Sequence, residues 1–390
     1  MDDPGNLDVV LYGATGYTGR LVAEFMTTRY GEDGDVRWAM AGRSREKLES
    51  VRDEIGAPAE TPLIVADAKD PGALEAMVGS TKVVCTTVGP YQLYGEPLVA
   101  ACVEAGTGYV DLCGEPPWMA EMIGRYQAKA KETGSRIVFS CGFDSIPFDL
   151  GVFFLQERAK AELGGPVSRV KGRVRAMEGG FSGGTAASLA ATMAASREDP
   201  NVRAVMQDPF ALTPGFDGPT QPDGMQPMED PAVGGWVAPF IMAPINTRNI
   251  HRSNLLMGHP YGRDFVYDEM MVTGPGERGE QAAKALATAS PLAGDTPKPG
   301  EGPTKEEREA GRYDVLFIGQ AEDGREVRVH VKGDLDPGYG STSKMVAESA
   351  VCLAKGEGVS EGGLYTPAAA FGGALIERLR ENAGLVFEQE

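Results

Sequence analysis

The turn Gly13-Ala14-Thr15-Gly16-Tyr17-Thr18-Gly19 constrains this chain more than any other stretch of it. Residues 8–12 before it read as a strand, and 19–30 after it carry the apolar periodicity of a helix. A bare G-x-x-G-x-x-G is a weak pattern, and its strand–turn–helix setting is what gives it weight. Gly13 permits the tight turn, Gly16 lets backbone N–H groups approach a pyrophosphate, and Gly19 lets helix and strand pack closely. The helix N-terminus adds unpaired donors and a positive dipole end. The expectation is a bound dinucleotide, touched by Gly13, Thr15, Gly16, Tyr17, Thr18 and Gly19.

The alternation continues beyond the turn. Strand-like runs at 37–41, 63–66, 83–87, 109–112 and 136–140 are separated by helical patterns at 45–55, 71–78, 97–105 and 117–133. Short strands spaced by helices imply right-handed crossovers, hence an α/β fold with a Rossmann-type doubly wound parallel sheet. A chain of 390 residues exceeds the usual single core. After residue 146 the rhythm changes: a helix at 147–162, a strand at 168–177, and a glycine-rich turn at 179–184 that opens a helix at 185–195. Residues 207–235 read as an irregular loop, 263–273 as a strand and 290–311 as a linker. Asp323-Gly324 is a hairpin signal between strands 312–322 and 326–334, and helices at 341–355 and 367–381 follow. The expected units are a dinucleotide domain (1–146), an α+β domain with a mixed or antiparallel sheet for substrate and dimerisation (147–362), and a C-terminal helix and tail (363–390) able to pack back on the first.

The second strand ends in Gly42-Arg43-Ser44, where sites that prefer NAD place a carboxylate for the ribose 2′-hydroxyl. A guanidinium suits a 2′-phosphate instead, so NADP(H) is the expected cofactor. Asp67, after the third strand, can reach the adenine edge or cap the next helix. Thr87, Val88 and Gly89 end the fourth strand and face the cofactor; Cys141, after the sixth, can touch the nicotinamide or stay a neutral buried thiol. Tyr91 and Asp144, on the same sheet edge, are the candidate proton donors; Tyr91 could equally be a buried packing aromatic, and Asp144 could cap a helix. None of the twelve tyrosines has a lysine four residues on, which excludes the Tyr-x-x-x-Lys dyad of short-chain dehydrogenases. Arg248, His251 and Arg252 follow an apolar stretch. Either they form a basic mouth beside an acyl-chain wall, or they are surface ion-pair residues at a dimer interface.

A net charge of −19 argues against nucleic-acid binding and against docking on anionic lipid. The five cysteines contain no C-x-x-C pair and the three histidines no metal spacing, so no metal is expected. No transmembrane run is evident, and an acidic N-terminus without signal-peptide character makes the cytoplasm the expected location.

These segments together resemble a known family. GATGYTG, AGRS, VGPYQLYGEPLVAAC and YVDLCGE, then SCGFDSIPFDLG, GGTAASL, INTRNIHRSN and DPGYGSTSKMVAESA, are similar to the saccharopine dehydrogenase-like oxidoreductases. The similarity is greatest to their trans-acting enoyl reductase branch, which acts beside lipid-making polyketide synthases in mycobacteria. The resemblance implies NADP use and reduction of a C=C bond in a small-molecule or carrier-bound acyl or lipid substrate. A homodimer is also expected. Two alternatives stay open: C–N oxidoreduction on an amino-acid-derived substrate, and a non-catalytic NADP-binding or lipid-associated protein.

Overall fold

The N-terminal strands are short, apolar on both faces and separated by helices, a pattern that parallel pairing with helices on both sides satisfies. The structure is a computed structural model and describes residues 7–31, 34–179, 183–289 and 301–390. Strands β1 (Leu7–Tyr12), β2 (Trp38–Gly42), β3 (Leu63–Val65), β4 (Thr81–Thr86), β5 (Gly108–Val110) and β6 (Arg136–Val138) lie in the order β3-β2-β1-β4-β5-β6. All are parallel; Val9 of β1 sits between Trp38 and Val83. Helices α1 (Tyr17–Tyr30), α2 (Arg45–Glu54), α3 (Pro71–Val78), α4 (Tyr91–Tyr94), α5 (Glu96–Ala105) and α6 (Pro116–Thr133) connect them. Proline stands in the first turn of α3, α5 and α6, where its missing N–H costs no helical bond. The order reverses between β1 and β4, which opens a crevice at the carboxyl edge of the sheet.

Helix α7 (Ile146–Leu163) leads out of this sheet and is buried along most of its length. Its Gly151 lies so close to the Phe317 ring that a Cβ would come within 2.3 Å of it. The second sheet is mixed, in the order β14-β12-β11-β7-β10-β9-β8. Its strands are β7 (Arg169–Glu178), β8 (Met228–Asp230), β9 (Gly235–Pro239), β10 (Val266–Gly274), β11 (Arg312–Gln320), β12 (Glu326–Gly333) and β14 (Val386–Gln389). β7 and β10 run parallel and the other pairs antiparallel, including the β11–β12 hairpin at Asp323-Gly324. Between them come α8 (Gly183–Glu198), α9 (Pro200–Gln207), α10 (Ala243–Leu256), α11 (Gly276–Thr288) and α12 (Lys305–Ala310). A π-helical turn, Pro337–Ser341, leads into α13 (Thr342–Ala354). The last elements are β13 (Gly363–Tyr365), α14 (Pro367–Phe371) and α15 (Gly373–Asn382).

Several of these differ from the sequence reading. α9, α10, α11, the edge strands β8 and β14, and β9 beside β8 have no counterpart in it. The last helix is two, α14 and α15, broken at Gly372. α13 packs on β1, β4 and β5 of the parallel sheet, although residues 147–362 were expected to form the second unit. Residues 363–390 serve both sheets: β13 adds a seventh parallel strand beside β6, and β14 pairs with β12. The rings of Phe143, Phe148, Phe240 and Tyr313 interlock where the layers meet, with centroids 4.7–5.8 Å apart. Residues 180–182 of the glycine-rich turn and 290–300 of the linker lie outside the described residues. Among those described, no helix is long and apolar enough to cross a membrane.

Candidate active site

The dinucleotide turn is set by backbone bonds from both of its sides. The amides of Gly13 and Ala14 donate to the Ala41 carbonyl of β2, at 3.0 and 3.2 Å. Gly13 has φ +96°, and a Cβ there would lie 2.8 Å from Thr87 Oγ1 and Val88 Cγ2. A Cβ on Gly19 would lie 2.1 Å from the Gly13 carbonyl oxygen. The cradle is therefore closed to any larger residue at either position. Gly16 caps α1 without a side-chain bond, and the amides of Tyr17, Thr18 and Gly19 meet no acceptor among the described residues. Open N–H groups at the head of a 14-residue helix fit a pyrophosphate.

At the carboxyl end of β2, Arg43 is exposed and makes no hydrogen bond or ion pair among the described residues. Ser44 caps α2 by accepting from the Lys47 amide, which leaves the guanidinium beside it available to an anion. Asp67 does not cap α3; Asp70 does. The Asp67 carboxylate accepts from the Lys69 amide at 2.9 Å, and it helps burial raise the Tyr12 phenol pKa. Thr15 lies against Gly42. The Tyr17 side chain turns away from the cradle. Its hydroxyl donates to the Pro303 carbonyl and accepts from Arg308, and its ring meets Tyr339 edge-on at 4.8 Å.

A cavity enclosing about 1220 Å³, up to and including its open mouth, runs from this turn along the carboxyl edge of the sheet. It brings together Thr18, Thr87, Gly89, Tyr91, Asp144 and Ser145 from the first sheet's side with Thr185 and Ser188 from α8. Val88 backs the cradle through Gly13. Leu112, Leu189, Met206, Ile241, Met242 and Ile245 make much of the remaining wall apolar. Asp144 is the one side chain of a charged type lining it among the described residues. Burial raises the Asp144 carboxyl to about 6, partly offset by a 3.3 Å bond from the Thr185 hydroxyl to Oδ2. Asp144 therefore holds or yields a proton near neutral pH.

The Tyr91 hydroxyl is engaged elsewhere. It donates to the Thr86 carbonyl at 3.2 Å and accepts from the Leu112 amide at 3.0 Å. Burial pushes its pKa well above the ordinary phenol value. In this geometry Tyr91 braces β4 against β5 and offers only its ring to the cavity. Of the two readings of Cys141, the structure has the buried thiol, facing the core. Ser140 adopts φ +62°, the chain turns there, and the buried Cys141 thiol lies against the Val138 and Phe139 carbonyls at 3.7 and 3.8 Å. Ser140 and Gly142 line the cavity in its place.

Glu115 went unnoticed in the sequence. It is buried and accepts from the amides of Tyr91 and Gln92 and from Ser188 Oγ, at 2.7–2.9 Å, which ties α4 to α8 at the cavity rim. Arg248, His251 and Arg252 form neither a basic mouth nor a surface interface. All three are buried in α10. Arg248 donates to the Val205, Met206 and Pro244 carbonyls, and Arg252 to those of Leu212 and Leu364. Burial, with Arg248 nearby, lowers His251 to about 3, so it stays neutral. Among the described residues no group of His, Cys, Asp and Glu could hold a metal ion.

Residues 9–138 match the family described as the saccharopine dehydrogenase NADP binding domain. A trans-acting enoyl reductase from Mycobacterium ulcerans is 37% identical over 97% of both chains. A Mycobacterium tuberculosis protein, named provisionally for the same activity, is 41% identical over 96% of both. Among solved structures, saccharopine dehydrogenase (L-Glu forming) from Saccharomyces cerevisiae superposes with a TM-score of 0.55 at 12% identity, covering 98% of this chain and 99% of its own.

Proposed function

Because the chain belongs to the trans-acting enoyl reductases, within the saccharopine dehydrogenase-like oxidoreductases, we propose that it uses NADPH to reduce the C=C bond of an unsaturated acyl substrate, with Asp144 as the proton donor. The observation that carries this reading is the cavity itself: an apolar wall along the cofactor edge, with one carboxyl of raised pKa in it. The bound nicotinamide supplies the hydride. The open amides of Tyr17, Thr18 and Gly19 hold the pyrophosphate, and Arg43 holds the 2′-phosphate. Thr185 donates to Asp144 Oδ2 and so leaves Oδ1 to carry a proton toward the substrate α-carbon. The first turn of α8, at Gly184 and Thr185, presents the positive end of its helix to the same space, where charge builds on the acyl oxygen. Tyr91 holds the wall in place.

Oxidoreduction of an amino-acid substrate would call for cations around the cavity to hold a carboxylate, and the described lining residues include none. A non-catalytic role leaves the placement of Asp144 without a purpose. In this reading the acyl group arrives on a carrier, and the protein serves lipid metabolism as a cytoplasmic homodimer.

Asp144→Asn keeps the shape and removes the acid. Its kcat is expected to fall about 10²- to 10⁴-fold, with the Kd for NADPH unchanged. Wild-type kcat is expected to decline as pH rises through about 6, and the variant to lose that inflection. A variant that turns over at the wild-type rate would remove Asp144 from the chemistry.

A further inference from the structure

Behind the cavity wall lies a chain of buried polar side chains that the proposed reaction does not use. Ser145 follows β6 and lines the cavity. Its hydroxyl lies 3.1 Å from Asn246 Oδ1 and receives Asn249 Nδ2 at 3.0 Å. Asn246 Nδ2 donates to Glu269 Oε1 at 2.8 Å, and the Tyr267 phenol donates to Oε2 at 2.7 Å. None of these five side chains is more than 1% exposed. The chain runs from the edge of the first sheet, through α10, into β10 of the second.

Its polarity is determined. Glu269 Oε1 takes an N–H from Asn246, so the Asn246 carboxamide cannot turn over without facing oxygen with oxygen. Its Oδ1 must then point at Ser145, and an amide oxygen can only accept. The single Ser145 proton is accordingly directed at Asn246. Asn249 fits the same scheme: turned over, its oxygen would compete for that one proton. A proton held by Glu269 leaves this polarity intact while it sits on Oε2, beside the Tyr267 phenol. With its hydrogen given to Asn246 and one lone pair filled by Asn249, the Ser145 oxygen has one lone pair left. Ser145 therefore meets the cavity as an acceptor, although a serine is ordinarily free to do either.

We propose that Ser145 accepts a hydrogen bond from the carboxamide N–H of the bound nicotinamide, and that Glu269, acting through Asn246, is the positioning residue that keeps Ser145 in the accepting sense. The carboxamide is the donor to be expected at this place. A dinucleotide laid along the carboxyl edge, with its pyrophosphate on the turn after β1, carries its nicotinamide toward the strands beyond β4. Ser145 follows the second of these, in the cavity that begins at Thr18 and Thr87. Holding the carboxamide sets which face of the ring is turned to the substrate. The proposal rests on the NADP(H) reading of the site.

The test compares Kd values for NADPH and for its 3-acetylpyridine analogue, in which a methyl group replaces the carboxamide NH₂. Wild type is expected to prefer NADPH by roughly three- to tenfold, the net value of one neutral hydrogen bond. Ser145→Ala and Glu269→Leu are expected to bring the ratio to about one by weakening NADPH alone. Glu269→Gln, whose carbonyl can still face Asn246 while its NH₂ meets the Tyr267 oxygen, is expected to keep the preference. Ser145→Ala and Glu269→Leu sit at different depths in the wall, so loss of folding in the second leaves the first decisive. A Ser145→Ala protein that keeps the wild-type preference would overturn the proposal, as would a wild type that shows none. Failure of wild type to bind NADPH at all would instead overturn the cofactor reading, and this proposal with it.

Discussion

Arg43 stands exposed at the end of β2 with no partner among the described residues. An unpaired guanidinium at the edge of a phosphate cradle is placed to bind rather than to stabilise the fold. Removing it deletes charge-assisted bonds to a 2′-phosphate and touches nothing in NADH. Arg43→Ala is therefore expected to raise the Kd for NADPH about 10- to 100-fold and to leave that for NADH within about twofold, as fluorescence titration can measure. Equal loss for both would assign Arg43 to general electrostatics. Arg43 and Asp144 were legible because strand ends in a doubly wound sheet share one edge, and a residue's place in the sequence gives its place on that edge. Cys141 could be read either way, because one backbone torsion, at Ser140, decides which neighbour faces the cavity. Glu115 gave no signal because Tyr91, Gln92 and Ser188 lie on other elements, and Glu269 none because Asn246, which links it to Ser145, lies on α10.

The parallel strands announce themselves by local pattern, since each run is apolar and all but the edge strand β3 are largely buried. α10 does the opposite. Its sequence, APINTRNIHRSNLL, is polar or charged at eight of its fourteen positions, and Pro244 reads as a breaker; in the structure that proline sits in the first helical turn, where it is tolerated. Nine residues of the helix are buried, seven of them polar or charged. No apolar stripe exists to be read, because the helix packs through hydrogen bonds to distant carbonyls. Arg252 shows what this means for stability. It joins the Leu212 carbonyl, the Leu364 carbonyl and Gln127 Oε1, so it ties α10 to α6 and to β13. Arg252→Leu keeps only part of the side chain's bulk and takes the guanidinium from the Leu212 and Leu364 carbonyls, while Gln127 Oε1 still accepts from the Leu364 amide. It is expected to cost about 2–4 kcal/mol in chemical denaturation, and an unchanged midpoint would mean that water replaces the guanidinium.

A set of buried acids makes the molecule's stability depend on pH. Burial raises Asp144 to about 6, Asp111 and Asp149 to about 7, and Glu269 to about 8. Each binds its proton more tightly in the folded chain than in the unfolded one, where carboxyls titrate near 4. Their contribution is thus fully present below about pH 4 and is lost as pH rises through 6 to 8. The melting temperature is expected to fall between pH 5 and pH 8.5, and Asp149→Asn to flatten that slope; a flat wild-type profile would contradict the assignment. The same burial leaves Asp144 poised in an apolar cavity beside the cofactor edge, and what that cavity reduces can be measured directly. The direct measurement is NADPH oxidation, followed by absorbance, with α,β-unsaturated acyl thioesters, amino-acid-derived imines and ketones offered separately. Turnover with the unsaturated thioesters alone is the predicted result. Turnover that prefers the imines would contradict the account.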